Sequence, residues 1–304
     1  MTEPGPWTVR VLWAVLPFTA GPVLARALDP TVSSFRTVAT VMLWVGWAVT
    51  VTVTLVPRTM SLTVLRIVAP AGVAATAWAA AVAGDDGAAW RTTLALASGL
   101  AAAAAAFSPF TGDAYVNGSS YGAERRMPLR VPGALLLLAP VAWMVTVVGT
   151  VGGPLLLATR QWGTGAVAVV AGGPAAAVAA RALHGLARRW VVFVPAGLVL
   201  HDPFGLPDAV LVPRRMAHRL GPAPAHPVDE ADVVDLTQRA PGLALLIELT
   251  EILPVSVAVG RREVGSVDAR GLLFTPTRPG AVLEEAARRR LPVERPRPPL
   301  SARG

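Results

Sequence analysis

The stretch RALHGLARRWVVFVPAGLVLHD, Arg181–Asp202, divides the chain into two kinds of sequence. Before it runs apolar sequence rich in Ala, Val and Gly; after it come short β-like runs with charges between them. Arg181, Arg188, Arg189 and Trp190 stand where a last membrane helix meets the headgroups, a depth that basic and tryptophan side chains favour. We read the stretch as a membrane anchor handing over to a cytoplasmic domain. Arg188, Arg189 and Trp190 are its expected headgroup contacts.

Composition agrees with an anchor of this kind. Hydrophobic residues make up 53% of the chain and charged residues 15%, with a mean hydropathy of +0.53. An average soluble domain is roughly 25% charged, so the chain belongs with multi-pass membrane proteins. All 27 basic residues are arginine, and cysteine is absent. That excludes Schiff-base lysines, P-loop lysines, thiol nucleophiles, thiolate metal sites and disulfides. Residues 1–188 hold 12 Arg against 6 acids, and residues 189–304 hold 15 against 13, so most of the +8 net charge lies in the apolar half. This suits anionic lipid better than nucleic acid, and no nucleic-acid partner is expected.

Six spans are expected, near residues 11–28, 38–56, 67–83, 92–107, 134–158 and 164–183, within a membrane domain covering 1–188. About 20 apolar residues cross a bilayer as helix. The first span is interrupted by Pro17, Pro22 and Arg26, and the last two by Gly149, Gly152, Gly153, Pro154, Gly172, Gly173 and Pro174. With both termini inside, the cytoplasmic segments carry nine arginines (Arg10, Arg58, Arg66, Arg125, Arg126, Arg130, Arg181, Arg188, Arg189). The opposite side carries four (Arg26, Arg36, Arg91, Arg160). That bias follows the positive-inside rule and places the protein in the plasma membrane with both ends cytoplasmic. No acid is read deep in a span, which weighs against a proton-coupled transporter. Asp85–Asp86 reads as a topology or solubility feature rather than a cation site.

Between the fourth and fifth spans runs TGDAYVNGSSYGAERRMPLRVPG, Thr111–Gly133, the longest polar interruption in the apolar half. It reads as a loop. Asn117, Ser119, Ser120, Tyr121, Glu124, Arg125 and Arg126 give it hydrogen-bonding capacity toward a partner protein, an anionic headgroup or the C-terminal domain. A solvated connector whose arginines only set topology is the other reading. Ser119 and Ser120 have no adjacent histidine or lysine, so a serine nucleophile is not read here.

Beyond Arg188, Trp190–Pro195 and Leu198–Asp202 read as a hairpin, Ala209–Val212 and Met216–Leu220 as further strands, and Gly221–Asp235 as a loop. Leu243–Leu249 and Val255–Val259 read as a second hairpin around Glu251–Pro254, and Leu272–Thr275 as a last strand. Pro279–Arg290 reads as an amphipathic helix with acids early and arginines late. The domain is expected over 189–291, and 292–304 reads as a disordered Pro/Arg-rich tail.

The opening WVVFVPAGLVLHD (Trp190–Asp202) and closing LLFTPTRPGAVLEEAARRR (Leu272–Arg290) resemble pleckstrin-homology-like domains attached to bacterial membrane proteins. The whole chain, through GDAYVNGSSYGAERR (Gly112–Arg126) and RRWVVFVPAGLVLHD (Arg188–Asp202), resembles a family of actinobacterial multi-pass membrane proteins. The resemblance implies a membrane all-α part followed by a small β-rich domain of six or seven strands and a C-terminal helix. Such domains bind lipids, peptides or partner domains and rarely catalyse.

The four histidines form no metal-binding spacing. His201-Asp202 reads as a turn feature rather than a base and its orienter. No catalytic residue, metal or cofactor is expected. The expectation is therefore a membrane scaffold or regulatory protein, partnered by the bilayer, its anionic headgroups, and a protein or a second copy through the membrane domain. The Gly/Pro-broken fifth and sixth spans leave a transporter or channel component as the alternative, which requires a cavity at Gly149–Pro154 and Gly172–Pro174. A membrane enzyme acting on lipid-linked substrates is a further one.

Overall fold

Long uncharged runs rich in Ala, Val and Leu satisfy their own backbone only as helix. A computed structural model describes residues 4–82, 89–224, 232–258 and 264–294. Asp85, Asp86, His226 and the tail from residue 295 lie outside the described residues. The apolar half folds as α1 (Pro4–Thr19), α2 (Gly21–Leu28), α3 (Ser33–Leu55), α4 (Thr59–Val82), α5 (Ala89–Phe107) and α6 (Pro109–Asn117). After β1 (Arg125–Pro128) follow α7 (Gly133–Ala158) and α8 (Trp162–Leu186). Among the described residues, five stretches are long and apolar enough to cross a membrane: Gly5–Leu28, α3, α4, α7 and α8. The pair α5 and α6, bent by 52°, makes a sixth when counted as one crossing.

Helix α6 corrects the reading of Thr111–Asn117 as loop. Ser108 caps it, accepting the Thr111 N–H at 3.2 Å, and Pro109 occupies its first turn, where no N–H is needed. Its polar side chains turn inward: Asp113 and Tyr115 are both 0% exposed. An acid is therefore buried inside the helical unit, outside the six stretches read as spans. Polarity signalled water, and helix packing took these residues instead. The segment then turns at Gly118, where a Cβ would stand 2.0 Å from the Pro57 carbonyl oxygen.

The glycines of the last two helices are packing residues. A Cβ on Gly149 would lie 2.4 Å from the Gly172 carbonyl oxygen, and one on Gly153 would lie 2.6 Å from Val169. Small residues let helices approach to backbone contact. Gly149, Gly153 and Gly172 thus bring α7 against α8, whereas a Cβ on Gly152 would meet only Val148 of its own helix and one on Gly173 nothing within 4 Å. Trp143 anchors α7 further by donating its indole N–H to the Ile67 carbonyl at 2.9 Å.

The chain divides into two compact units, Met1–Ser119 with Leu138–Ala187, and Ser120–Leu137 with Arg188–Gly304. The division departs from a single boundary at 188, because residues 120–137 belong to the second unit.

That unit is built from β1, β2 (Trp190–Val194), β3 (Gly197–His201), β4 (Val210–Pro213), β5 (Ala217–Pro222), β6 (Val233–Asp235), β7 (Leu245–Ala258), β8 (Val264–Phe274) and α9 (Pro279–Arg288). A 3-10 turn at Arg214–Met216 joins β4 to β5. One four-stranded sheet has the order β1-β2-β3-β4, the other β5-β7-β8-β6. All pairings are antiparallel except β6 with β8. The two sheets share one core, in which Met127 and Leu129 join Phe193, Leu198, Ile247, Leu272 and Phe274 under Val282 and Ala286 of α9. Each such large side chain contributes about 1.5–3 kcal/mol by leaving water.

Three sequence readings are corrected here. Leu243–Leu249 and Val255–Val259 are not two strands of a hairpin: β7 is one strand of 14 residues with a register shift between Glu248 and Leu253. Strand β6 lies within the expected loop Gly221–Asp235, and β5 extends two residues into it. The expected tail begins with ordered chain, since the Leu220 N–H donates to the Pro292 carbonyl at 2.8 Å and the Glu294 N–H to the Leu220 carbonyl at 2.9 Å.

Candidate functional site

Alternation along β2 and β3 sends Val191, Phe193, Leu198 and Leu200 inward and leaves Trp190, Val192, Val199 and His201 on the outer face. Register does the rest. Arg126 pairs with Val192, Trp190 with His201, and Val192 with Val199. The outer face of the first sheet thus gathers residues from sequence regions some 60 positions apart.

Arg126 is the centre of this cluster. Its guanidinium lies 5.4 Å from the Trp190 ring centroid and 5.9 Å from that of Tyr121, and it pairs with Glu124 Oε2 at 3.1 Å. The two rings hold the guanidinium in place while Glu124 balances its charge. Trp190 stacks on the His201 imidazole at 5.1 Å between centroids. His201 Nε2 is buried with no hydrogen-bond partner among the described residues. Burial pushes the His201 pKa below its ordinary 6.5, helped by the charges of Arg188 and then Arg126 and opposed by Asp202. Tyr121, at 78% exposure, and Arg188 stay open to solvent.

Beneath the face sits a buried charge pair. Arg189 and Asp202 are each 1% exposed and meet through two hydrogen bonds, Nε to Oδ1 at 2.8 Å and Nη2 to Oδ2 at 2.6 Å. Arg189 Nη1 also donates to the Arg130 carbonyl. Asp202 accepts further bonds from the Phe204 N–H at 3.1 Å and Gln238 Nε2 at 2.9 Å. The pair clamps the start of β2, the end of β3, the segment after β1 and the loop at Gln238. It is saturated, and chemically inert for that reason. Arg189 therefore departs from its expected headgroup contact, because the fold uses it internally. Asp202 is committed to Arg189, so it does not orient His201 as a base.

The expected binding residues separate between the two units. Asn117 ends α6, and Ser119 closes the helical unit with its hydroxyl accepting the Thr59 N–H at 3.5 Å. Ser120, Tyr121, Glu124, Arg125 and Arg126 fall in the β unit, where Arg125 and Arg126 are strand residues. Arg289 fastens this segment to the helix end by donating to the Ala123 carbonyl at 2.6 Å while pairing with Glu285 at 2.6 Å. His201 and Gln238 were missed by sequence reasoning as members of one site. The alternation VVFVPAGLVLH carried the signal for His201; Gln238 had none. Among the described residues no group of three His, Asp or Glu could hold a metal ion. No family model, no curated protein and no solved structure matches the chain.

Proposed function

We propose that the protein is an integral membrane scaffold or regulatory protein. Six spans, with α5 and α6 forming one of them and both termini cytoplasmic, anchor a pleckstrin-homology-like β unit that recognises an anionic group on a partner protein or a lipid headgroup. The observation that carries this reading is the cluster of Tyr121, Arg126 and Trp190 on a sheet stitched together from two separate chain regions. A cation held between two aromatic rings, with one ring exposed, is recognition chemistry. The sheet that carries it is joined to the helices at each end of residues 120–137 and again at Arg188. A docking module held at three points transmits what it binds to its anchor better than one on a single linker does.

The test uses the full chain. Truncation after Trp190 would strip β1 of its partner strand, so point variants serve better. Crosslinked protein is isolated from native membranes as wild type, Arg126→Glu and Trp190→Ala, and the lipids and proteins that come with it are compared. The proposal expects at least one component to be lost from both variants. Identical sets from all three would overturn it.

A further inference from the structure

An antiparallel sheet with one face on a core turns polar side chains to water on the other. The first sheet does not. Its outward cross-strand row runs Arg126, Val192, Val199, Leu211, with three apolar positions in succession. Val192 is covered, at 7% exposure, Val199 is half-buried and Leu211 is 43% exposed, so the row reaches the surface only toward β4. Trp190 occupies the neighbouring row, and exposed Arg188 precedes it. The accessible face is therefore apolar at Val199 and Leu211, has Arg188 and the Glu124-paired Arg126 toward the other end, and carries Trp190 along its side.

We propose that this face rests on the bilayer surface, with Val199 and Leu211 at the acyl boundary and Arg126 and Arg188 on lipid phosphates. The proposal rests on the membrane-anchored reading above and names the lipid as the occupant. Chain reach favours lipid over a protein from solution. Helix α8 ends at Leu186, and Arg188 is the second residue beyond it and Trp190 the fourth. An extended chain advances at most about 3.6 Å per residue, so Arg188 lies within about 7 Å of the helix end and Trp190 within about 14 Å. Each headgroup layer is itself roughly 5–8 Å deep. Arg188 cannot leave that layer by much, and Trp190 is the side chain most at home there. Arginine supplies the attraction to anionic lipid, and the apolar row gives the sheet a surface to bury on arrival.

The chain contains no cysteine, so a single thiol can report on one position. Leu211→Cys and, separately, Val199→Cys are labelled with an environment-sensitive fluorophore in the full-length protein. The labelled protein is reconstituted into nanodiscs of equal phosphatidylcholine and phosphatidylglycerol containing a nitroxide-bearing lipid. Quenching by the nitroxide lipid, together with protection from aqueous iodide, is expected at both positions. Combining either label with Arg126→Gln or Arg188→Gln lowers the equilibrium constant for the seated state about fivefold per arginine. The same loss is expected when phosphatidylcholine alone forms the disc. Labels open to iodide and untouched by the nitroxide lipid would overturn the proposal. So would protection from iodide without nitroxide quenching, since protein would then cover the face. This outcome is independent of the co-isolation test. A lipid-seated face with unchanged co-isolated components would sink the docking function alone, and lost components with an open face would sink the lipid seat alone.

Discussion

Arg189 and Asp202, thirteen residues apart, meet through two parallel hydrogen bonds inside the β unit, each 1% exposed. Removing one partner leaves the other charged, buried and alone, whereas replacing both with apolar groups leaves no buried charge and strands only the neutral partners Phe204 N–H, Gln238 Nε2 and the Arg130 carbonyl. Asp202→Ala is expected to cost about 3–5 kcal/mol in the stability of the β unit. Arg189→Met combined with Asp202→Leu is expected to recover most of that loss. Chemical denaturation followed by hydrogen exchange at β2 and β3 measures both; a double variant as unstable as the single one would show that the pair does more than satisfy itself.

Met127 tests whether the segment between α6 and α7 is structural. Its side chain is in the shared core although it comes from an expected loop. Met127→Ala is expected to cost about 2–5 kcal/mol through the cavity it leaves. Faster amide exchange at Val191, its register partner, and at Phe193, opposite Arg125 on the same strand pair, is the readout. Unchanged exchange there would mean that β1 does not pack as described.

How much of this was legible in the sequence depends on how local the signal was. Helix α3 announces itself as a long apolar run, and β2 and β3 as alternation around Ala196-Gly197. Strand β1 carries two arginines and a proline, and only its partner sixty residues later makes it a strand. Glu251–Pro254 looks like a turn, yet Pro254 pairs opposite Asp268 beyond an irregularity in the ladder. Proline is tolerated beside a bulge, where the ladder is already broken. Asp113 and Arg189 failed for a shared reason. Charge signals water in a linear reading, and both are placed by packing partners far along the chain.

Gly149 reports on the last two helices. A side chain there meets the Gly172 backbone, so Gly149→Leu is expected to cost about 1–3 kcal/mol by overpacking. A lower thermal midpoint in detergent confirms close packing, and an unchanged one would mean that open space lies between α7 and α8.

His201 contributes a pH response to the β unit. Its folded pKa lies below 6.5, so between the folded and unfolded values the unfolded chain binds more protons. The associated stability is complete above about 6.5 and is lost as pH falls through the folded value. Denaturation midpoints of the β unit are expected to drop on acidification from pH 7.5 toward 5, and His201→Gln to flatten that slope. An equal slope in the variant would assign the effect to other groups.

The sheet that β1 shares with β2 underlies the proposed recognition face, and the most direct test is the proximity of Arg126 to Val192. They are paired on neighbouring antiparallel strands. Opposed residues on such strands have Cα atoms about 4.5–5.5 Å apart, within disulfide reach. Arg126→Cys with Val192→Cys, in a chain with no other cysteine, is oxidised in native membranes and read by mobility and by mass spectrometry of the joined peptides. Rapid intrachain bridging is the predicted result. No bridge, with both thiols freely reactive, would mean that residues 120–130 do not join the β unit, and the recognition face would not exist.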